Sequence, residues 1–296
     1  MGMKGFKGFE KDFSCGGKQY EENTTYEEHG VGCCHKGVMH FCEDPWEVLN
    51  HYDLVDENGN FSEFAEVEAL GQVWNDGEKR ATNKIHIGAK LGLKGFLKAC
   101  IDFTLEKTKY ESNGTNLSGD YAKIGSSGYY AKIGSSGDYA KIGSSGYSAQ
   151  IGSSGYSAQI GSSGYYAKIG SSGDSAKIGS SGYYAKIGSS GDSAQIGSSG
   201  DSAQIGSSGD SAQIGSSGYS AQINSTGEDA VIMCAGRKSK AKGKKGSWIT
   251  LAEWVKDEEK GRYVPICVKT ERVDGEKIKE DTYYTLNNGE FSGVEE

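Results

Sequence analysis

The sequence predicts a mainly β protein built around a parallel β-solenoid, and three observations support this class. Residues 116–223 are twelve tandem copies of a nine-residue unit, GSSG(D/Y)(Y/S)A(K/Q)I. The chain of 296 residues contains 46 Gly, too many for one ordinary packed core, yet its 18 Tyr are too many for a disordered chain. Repeats of fixed period stack on one another and bury a continuous core.

Two positions of the unit predict that core. Position 9 is Ile in every unit from Ile124 to Ile223, and position 7 is Ala in every unit from Ala122 to Ala221. Because alternate residues of a strand face the same side, both point inward, whereas position 6 (Tyr or Ser) and position 8 (Lys or Gln) point to solvent. The GSSG tetrapeptide predicts the turn, with its two Gly at positive φ and its Ser hydroxyls bonded to backbone groups.

Position 5 predicts how many units complete one coil. Odd-numbered units carry Asp120, Asp138, Tyr156, Asp174, Asp192 and Asp210, and even-numbered units carry Tyr129, Tyr147, Tyr165, Tyr183, Asp201 and Tyr219. A period of two units separates Asp from Tyr almost completely, whereas a period of three mixes them. We therefore predict an 18-residue coil of two nonapeptides, with an Asp ladder on one edge and a Tyr ladder on the other. The candidate binding residues of the ladder are Tyr129, Tyr147, Tyr165, Tyr183 and Tyr219.

Two known uses of such solenoids fit the unit poorly. The calcium-binding nonapeptide GGxGxDxUx of bacterial β-roll proteins resembles it in length and in the Gly at positions 1 and 4, but calcium needs Asp at position 6. Position 6 is only Tyr or Ser here. An ice-binding solenoid remains an alternative, although the mixed outward residues lack a uniform lattice of small side chains. No cofactor or metal is expected.

Residues 1–110 are predicted to form a small α+β domain. The segments MKGFKGF, GVMHF and FAEVEALG have the pattern of strands. Asp44 and Pro45 predict a helix start, and the helix is expected to continue through WEVLNHY. A longer helix is predicted from Lys90 to Lys107, with its apolar residues largely on one face.

The segment CCHKGVMHFC contains five residues of types that can bind zinc: Cys33, Cys34, His35, His40 and Cys42. Structural zinc sites usually combine paired knuckles such as C-x-x-C, and no second knuckle is present. We therefore interpret these residues as reduced Cys and ordinary His. Nucleophilic catalysis by a Cys and His pair is the other alternative, and it needs an orienting group that a sequence cannot show.

Residues 111–232 are assigned to the solenoid and residues 233–296 to a small β cap. The cap is predicted from the strands SWITLAEWV, YVPICVKTERV and TYYTL…EFSGV, with a turn at Asn287, Asn288 and Gly289. Trp248 and Trp254 are expected in its core. The basic stretch RKSKAKGKK is interpreted as a solvated loop, with a partner-docking patch of Lys238, Lys240 and Lys242 as the alternative.

The charge and composition of the chain limit the classes of partner that we expect it to bind. The formal net charge is -8, and residues 119–223 carry six Lys and six Asp, so a neutral repeat array disfavours nucleic acid as a partner. No apolar run reaches the roughly 20 residues that cross a bilayer, and the first residues lack a hydrophobic signal core. We expect no membrane partner, a cytoplasmic location and reduced cysteines; a homo-oligomer remains possible.

The segments MKGFKGFEKDFSCGGKQYEENTTYE, GVMHFCEDPWEVLNHY, ATNKIHIGAKLG and KKGSWITLAEW, with the Gly- and Ser-rich repeats, resemble a group of uncharacterised proteins encoded by phages and prophages. This resemblance covers nearly the whole chain and implies a bacterial host cytoplasm. The block GVMHFCEDPWEVLNHY also resembles a piece of the ADP-ribosyltransferase fold, but no catalytic Glu or NAD-binding residue can be matched.

These observations together predict a non-enzymatic interaction protein. The resemblance to phage proteins suggests inhibition of a host antiviral defence machine, such as a CRISPR-Cas effector complex, as the function. The alternatives are a virion or tail-associated structural protein, an ADP-ribosyltransferase-like enzyme in the N-terminal domain, and an ice-binding solenoid.

Overall fold

The computed structural model describes residues 2–33, 37–55, 60–108, 114–116 and 119–294. The chain forms two compact units, Met1–Phe103 and Thr104–Glu296. The predicted fold class is confirmed: the protein is mainly β, with a parallel β-solenoid of about seven coils of ~18 residues, an N-terminal sheet domain with a little helix, and a C-terminal β region.

The N-terminal unit is a seven-stranded sheet with two clusters of buried hydrophobic residues. Its elements are β1 (Met3–Phe9), β2 (Ser14–Cys15), β3 (Lys18–Gln19), β4 (Thr24–Glu27), β5 (Met39–Cys42), α1 (Pro45–Val48), β6 (Glu63–Ala69), β7 (Val73–Asp76), β8 (Lys79–Thr82), β9 (Lys84–Lys90) and α2 (Gly92–Thr108). The strands of the sheet lie in the order β4-β9-β6-β1-β5-β8-β7, and the described pairings are antiparallel. Strands β2 and β3 form a separate two-stranded sheet.

The helices begin close to where the sequence predicts. Asp44 caps α1, because its Oδ1 accepts a hydrogen bond of 2.8 Å from the backbone N–H of Trp46, and Pro45 follows at the first helical position. The helix ends at Val48, so the expected continuation through WEVLNHY was too long. Helix α2 begins at Gly92 and not at Lys90, because Lys90 still belongs to β9.

The repeats form two parallel sheets. Sheet one contains β11 (Lys123–Ser126), β13 (Lys141–Ser144), β15 (Gln159–Ser162), β17 (Lys177–Ser180), β19 (Gln195–Ser198), β21 (Gln213–Ser216), β23 (Val231–Cys234) and β25 (Trp248–Asp257). Sheet two contains β10 (Gly114–Asn116), β12 (Lys132–Ser135), β14 (Gln150–Ser153), β16 (Lys168–Ser171), β18 (Lys186–Ser189), β20 (Gln204–Ser207), β22 (Gln222–Ser225) and β24 (Lys240–Lys242).

Each strand pairs with the strand two units away, which confirms the 18-residue coil. Ile142, for example, lies beside Ile160, and Ile151 lies beside Ile169. The invariant Ile and Ala side chains of both sheets point inward and form one continuous buried core. The burial follows the strand period, because Ile at position 9 and Ser at position 2 face the same interior.

The turn differs from the prediction in two respects. Some Ser hydroxyls accept a backbone hydrogen bond, as Ser144 does from Gly146, but others, such as those of Ser153 and Ser171, are buried without a hydrogen-bond partner among the described residues. No repeat Gly in the described residues has positive φ; the left-handed residue is instead at position 6, as in Ser193 (φ 55°) and Ser202 (φ 55°). The physical reason is a hydrogen bond between coils. The left-handed backbone directs the N–H of Ser193 to the carbonyl oxygen of Asp210 at 2.8 Å, and the N–H of Ser202 to that of Tyr219 at 2.7 Å.

Gly at position 4 is required by close approach between coils. A Cβ atom placed on Gly182 would overlap the backbone carbonyl oxygen of Gly164 in the preceding coil, and the same holds for Gly191 against Gly173. A side chain at this position would therefore separate the coils and lengthen the hydrogen bonds of the turn. Gly at position 1 of sheet one is different, since a Cβ on Gly179 would meet no atom within 4 Å.

The solenoid stacking continues past Ile232. Residues 233–241, MCAGRKSKA, follow the repeat pattern: Gly236 occupies position 4 against Gly218, Lys238 has the left-handed φ of 58°, and Ala241 is buried where Ile stands in other units. The expectation of a loop for RKSKAKGKK was therefore wrong, because β24 of this segment pairs in parallel with β22.

The C-terminal strands extend both sheets with antiparallel pairs. They are β26 (Arg262–Arg272), which pairs with β25, and β27 (Tyr284–Asn287) with β28 (Glu290–Gly293), which extend sheet two. The predicted turn is present, with Asn288 (φ 51°) and Gly289 (φ 72°) between β27 and β28. Trp248 is 47% exposed, against expectation, because its register with Val231 places it in the outward column.

Substitution at the two glycine positions tests the close approach between coils. Gly182→Ala is expected to lower the free energy of unfolding by about 1–3 kcal/mol, because the new methyl group overlaps a backbone oxygen that cannot move away alone. Gly179→Ala is the matched control and should change it by less than about 0.5 kcal/mol. Guanidinium denaturation followed by circular dichroism measures both, and equal effects of the two variants would contradict the account.

Candidate functional site

The candidate site is a stack of four tyrosine rings on one edge of the solenoid. We call Tyr129, Tyr147, Tyr165 and Tyr183 the tyrosine ladder. Neighbouring ring centroids lie 4.8, 5.4 and 5.3 Å apart, with interplanar angles of 11°, 3° and 19°. The coil repeat sets this spacing, because each ring is carried by the same position of the next coil. The offset stacked arrangement is a favourable one for aromatic pairs.

Position 6 adds a second tyrosine column beside the ladder. Tyr130 and Tyr166 contact the ladder edge to face, at 4.7 Å from Tyr129 and 4.9 Å from Tyr165, and Tyr184 stacks on Tyr166 at 5.4 Å. The seven rings are between 37% and 72% exposed. Together they form a contiguous aromatic surface, which we call the tyrosine face.

The turns beneath part of the tyrosine face differ from the other turns. Tyr130, Ser148 and Tyr166 are the position-6 residues between 121 and 238 without positive φ. The N–H of Tyr166 bonds back to the carbonyl oxygen of Tyr147 in the preceding coil at 2.8 Å. In such a turn the N–H at position 6 donates to the preceding coil, whereas in the other turns, as at Ser193, it donates to the following coil.

The hydroxyl groups of Tyr147 and Tyr165, in the middle of the ladder, are neutral donors and acceptors. Desolvation, followed by repulsion from neighbouring tyrosines such as Tyr166, raises the pKa of Tyr147 and of Tyr165 above the ordinary value for tyrosine. A raised pKa keeps these two phenols protonated at neutral pH, so Tyr147 and Tyr165 present aromatic area and hydroxyls without negative charge.

Tyr219 lies in the same column but is separated from Tyr183 by Asp201. It contacts basic residues instead of other tyrosines of the column: the guanidinium carbon of Arg237 lies 4.6 Å from its ring centroid and 3.7 Å from that of Tyr263. A hydrogen bond with Lys238 is the largest of the effects that lower the pKa of Tyr219.

The predicted basic residues do not form one exposed patch. Lys238 is exposed and lies near Tyr219, whereas Lys242 is buried, with only 5% of its surface exposed. The ammonium groups of Lys240 and Lys242 lie 4.9 and 5.0 Å from the ring centroid of Tyr283. The structure therefore brings Lys238 to Tyr219 and brings Lys240 and Lys242 to a different ring.

The Asp residues of position 5 connect successive coils. The Oδ1 atom of Asp192 accepts a hydrogen bond of 2.9 Å from the backbone N–H of Asp210, and that of Asp210 accepts one of 2.8 Å from Glu228. Asp201 does the same for Tyr219 on the tyrosine edge. Asp at position 5 thus satisfies a backbone donor that would otherwise face solvent, and its role is structural.

A shallow groove of about 1290 Å³ on the outer face of sheet one was not anticipated from the sequence. Its lining includes a row of position-1 glycines, which face outward because the neighbouring Ile faces inward. They are Gly125, Gly143, Gly161, Gly179 and Gly197, which are exposed, and Gly215, which is half-buried. Lys and Gln of position 8 line it, and it ends at Val231 and Met233. Unlike the tyrosine face, the lining of the groove contains no aromatic side chain.

The five candidate zinc ligands of the segment CCHKGVMHFC are only partly within the described residues. Cys34 and His35 lie outside them. His40 Nε2 is 2.8 Å from the carbonyl oxygen of Cys33 and 3.5 Å from Asp76, and Cys42 is buried. In the part of the chain that the structure describes, no three His, Cys, Asp or Glu side chains come together as a metal-ligand set.

The fold and the exposed ladders define the chain as a β-solenoid protein. Residues 3–99 match the family model of a domain of unknown function, DUF7666, which covers the N-terminal sheet and ends within α2. Comparison with curated proteins and with solved structures gives no significant match. Among the described residues, no helix has both the length and the apolar character needed to cross a bilayer.

Replacement of one ladder Asp tests its role between coils. Asp192→Ala removes the acceptor for the N–H of Asp210 and is expected to lower the free energy of unfolding by about 1 kcal/mol. Asp192→Asn keeps an acceptor oxygen, and its effect should stay below about 0.5 kcal/mol. Chemical denaturation measures the free energy of unfolding of both variants. A decrease as large for Asp192→Asn as for Asp192→Ala would refute the hydrogen-bond explanation.

Proposed function

We propose that the protein is a non-enzymatic interaction protein that binds a protein partner through the tyrosine face. The observation that supports this best is the contiguous array of seven half-exposed rings, because monomeric proteins seldom leave aromatic area of this kind uncovered. Tyrosine is also enriched among the residues that dominate binding energy at protein interfaces.

The rigidity of the array favours binding. The ladder rings stack on one another, and the backbone beneath them is fixed by hydrogen bonds between coils, such as that from the N–H of Ser148 to the carbonyl oxygen of Tyr129 at 2.9 Å. A ring that is already ordered loses little conformational entropy when a partner covers it. The face therefore combines large contact area with a low ordering cost.

A protein is the partner class that fits the chemistry of the face. Neutral phenols provide hydrogen bonds and apolar area but no charge to attract phosphates, and the repeat array has no net charge. We propose that the partner is a host antiviral defence complex in the bacterial cytoplasm. This proposal rests on the resemblance of the chain to phage-encoded proteins. The structural alternative is a virion or tail-associated component.

A tagged chain captured from host bacteria tests the proposal directly. The test variant carries Tyr→Ser at Tyr129, Tyr147, Tyr165 and Tyr183, and the matched control carries Tyr→Ser at Tyr121, Tyr139 and Tyr156 on the other edge. We expect the ladder variant to lose at least about 100-fold in affinity for the captured protein, and the control to lose less than about threefold, because the rings of the tyrosine face would dominate the interface.

Circular dichroism of each variant provides the folding control. Recovery of a defence complex supports inhibition, and recovery of virion proteins supports the structural alternative. Unchanged affinity of the folded ladder variant would contradict the tyrosine face as the contact surface, and the absence of any captured protein would contradict an interaction function.

A further inference from the structure

The N-terminal unit contains a pocket of about 670 Å³ that the tyrosine face does not involve. Lys7 from β1, Cys15 from β2 and Tyr52, which follows α1, all line it. These three residues are distant in sequence, and the antiparallel sheet brings their polar atoms together. Cys15 is half-buried and borders the open volume, so a small molecule can reach its sulfur.

Lys7 is an unusually buried lysine. Only 5% of its surface is exposed, and its Nζ atom donates hydrogen bonds to Cys15 Sγ at 3.2 Å and to the carbonyl oxygen of His40 at 3.0 Å. The ammonium group also lies 5.4 and 5.6 Å from the ring centroids of Phe9 and Tyr20. Among the described residues, no carboxylate lies within ion-pair distance of it.

A buried ammonium group needs a nearby negative charge, because removing a charge from water costs several kcal/mol. Phe9 and Tyr20 compensate part of this cost through their ring faces, and the His40 carbonyl contributes only a dipole. The atom in contact with Lys7 that can carry a full negative charge is Cys15 Sγ. Lys7 therefore lies where it stabilises negative charge on Cys15 Sγ, which is the charge that the sulfur carries when it acts as a nucleophile.

Tyr52 adds a second donor to the same sulfur. Its hydroxyl lies 2.9 Å from Cys15 Sγ. Burial, followed by the hydrogen bond to Cys15, raises the pKa of Tyr52 far above the ordinary value, so the phenol keeps its proton and donates it. Gly8 makes this placement possible, because a Cβ on Gly8 would lie 2.6 Å from the Tyr52 ring.

Two buried cysteines, Cys42 and Cys234, have a different environment. Burial raises the pKa of Cys42 and of Cys234 to about 12, so both remain protonated thiols at neutral pH. Only the thiolate form of cysteine is an effective nucleophile. Cys15 is thus distinguished from these two by the two donors at its sulfur and by its partial exposure, although Cys42 also lines the pocket.

We propose that Cys15 is a nucleophilic modification site that reacts with low-molecular-weight disulfides in this pocket. The Cys15 thiolate attacks one sulfur of the disulfide and forms a new S–S bond, while the original S–S bond breaks. The second sulfur leaves with the electron pair and takes a proton from water. Lys7 and Tyr52 are positioning residues, since they hold the thiolate and do not exchange electrons with the ligand.

The full-length protein treated with oxidised glutathione tests this proposal. Peptide mass spectrometry gives the rate of glutathionyl addition at each cysteine, and Cys267, which is also half-buried, is the internal reference. At neutral pH we expect Cys15 to react at least about tenfold faster than Cys267 in the folded protein. In guanidinium, where the pocket is lost, the ratio should fall to about one.

Two variants test whether the reactivity of Cys15 depends on the two donors at its sulfur or only on its exposure to solvent. Tyr52→Phe removes one hydroxyl and Lys7→Met removes the charge at similar volume, and each should slow the reaction of Cys15 by about tenfold while the rate at Cys267 stays unchanged. Should Lys7→Met fail to fold, Tyr52→Phe alone decides. Equal rates at Cys15 and Cys267 in the folded wild type, or a folded Tyr52→Phe variant that reacts like wild type, would overturn the proposal.

Discussion

The solenoid depends on one backbone contact, the close approach of each turn to the turn 18 residues earlier. At position 4 the chain comes so near the carbonyl oxygen of the preceding coil that no side chain fits, as at Gly182 against Gly164. This approach allows the backbone hydrogen bonds of both turns and both sheets to form with one constant register. Because a coil buries only two Ile, which contribute roughly 1.5–3 kcal/mol each, the contact must be repeated over several coils to offset the cost of ordering Gly and Ser.

The different chemistry of the two edges follows from this constraint. Once the register is fixed, position 5 of each coil lies directly over position 5 of the last, and the side chain there decides what the stack can do. Asp192 uses its carboxylate to satisfy the backbone of the next coil, whereas Tyr147 and Tyr165 stack their rings at 5.4 Å and remain half-exposed. The repeat therefore builds one edge of Asp side chains that bond the next coil and one edge of half-exposed, stacked Tyr rings.

The sequence could predict the 18-residue coil because Asp and Tyr alternate at position 5. It could not predict the left-handed backbone at position 6, because Ser and Tyr have no intrinsic preference for it and the hydrogen bond between coils imposes it. The high charge of RKSKA favours a solvated loop over a strand. The spacing of Gly236 and Ala241 nevertheless follows the repeat and indicates that the solenoid continues through this segment. The pocket around Cys15 left no sequence signal, since Lys7 and Tyr52 reach it only through the fold of the sheet.

The 18-residue register is the central claim, and engineered cysteines on the outer face of sheet one test it most directly. Gln195 and Gln213 lie side by side in neighbouring strands, about 4.8 Å apart, within the range of about 4.4–6.8 Å between Cα atoms that a disulfide spans. A variant with Gln195→Cys and Gln213→Cys should form this disulfide under mild oxidation. A variant with Gln195→Cys and Gln222→Cys should not, because residue 222 lies in sheet two. Peptide mapping that finds the crosslink only in the second variant would contradict the two-unit coil and establish a coil of three units.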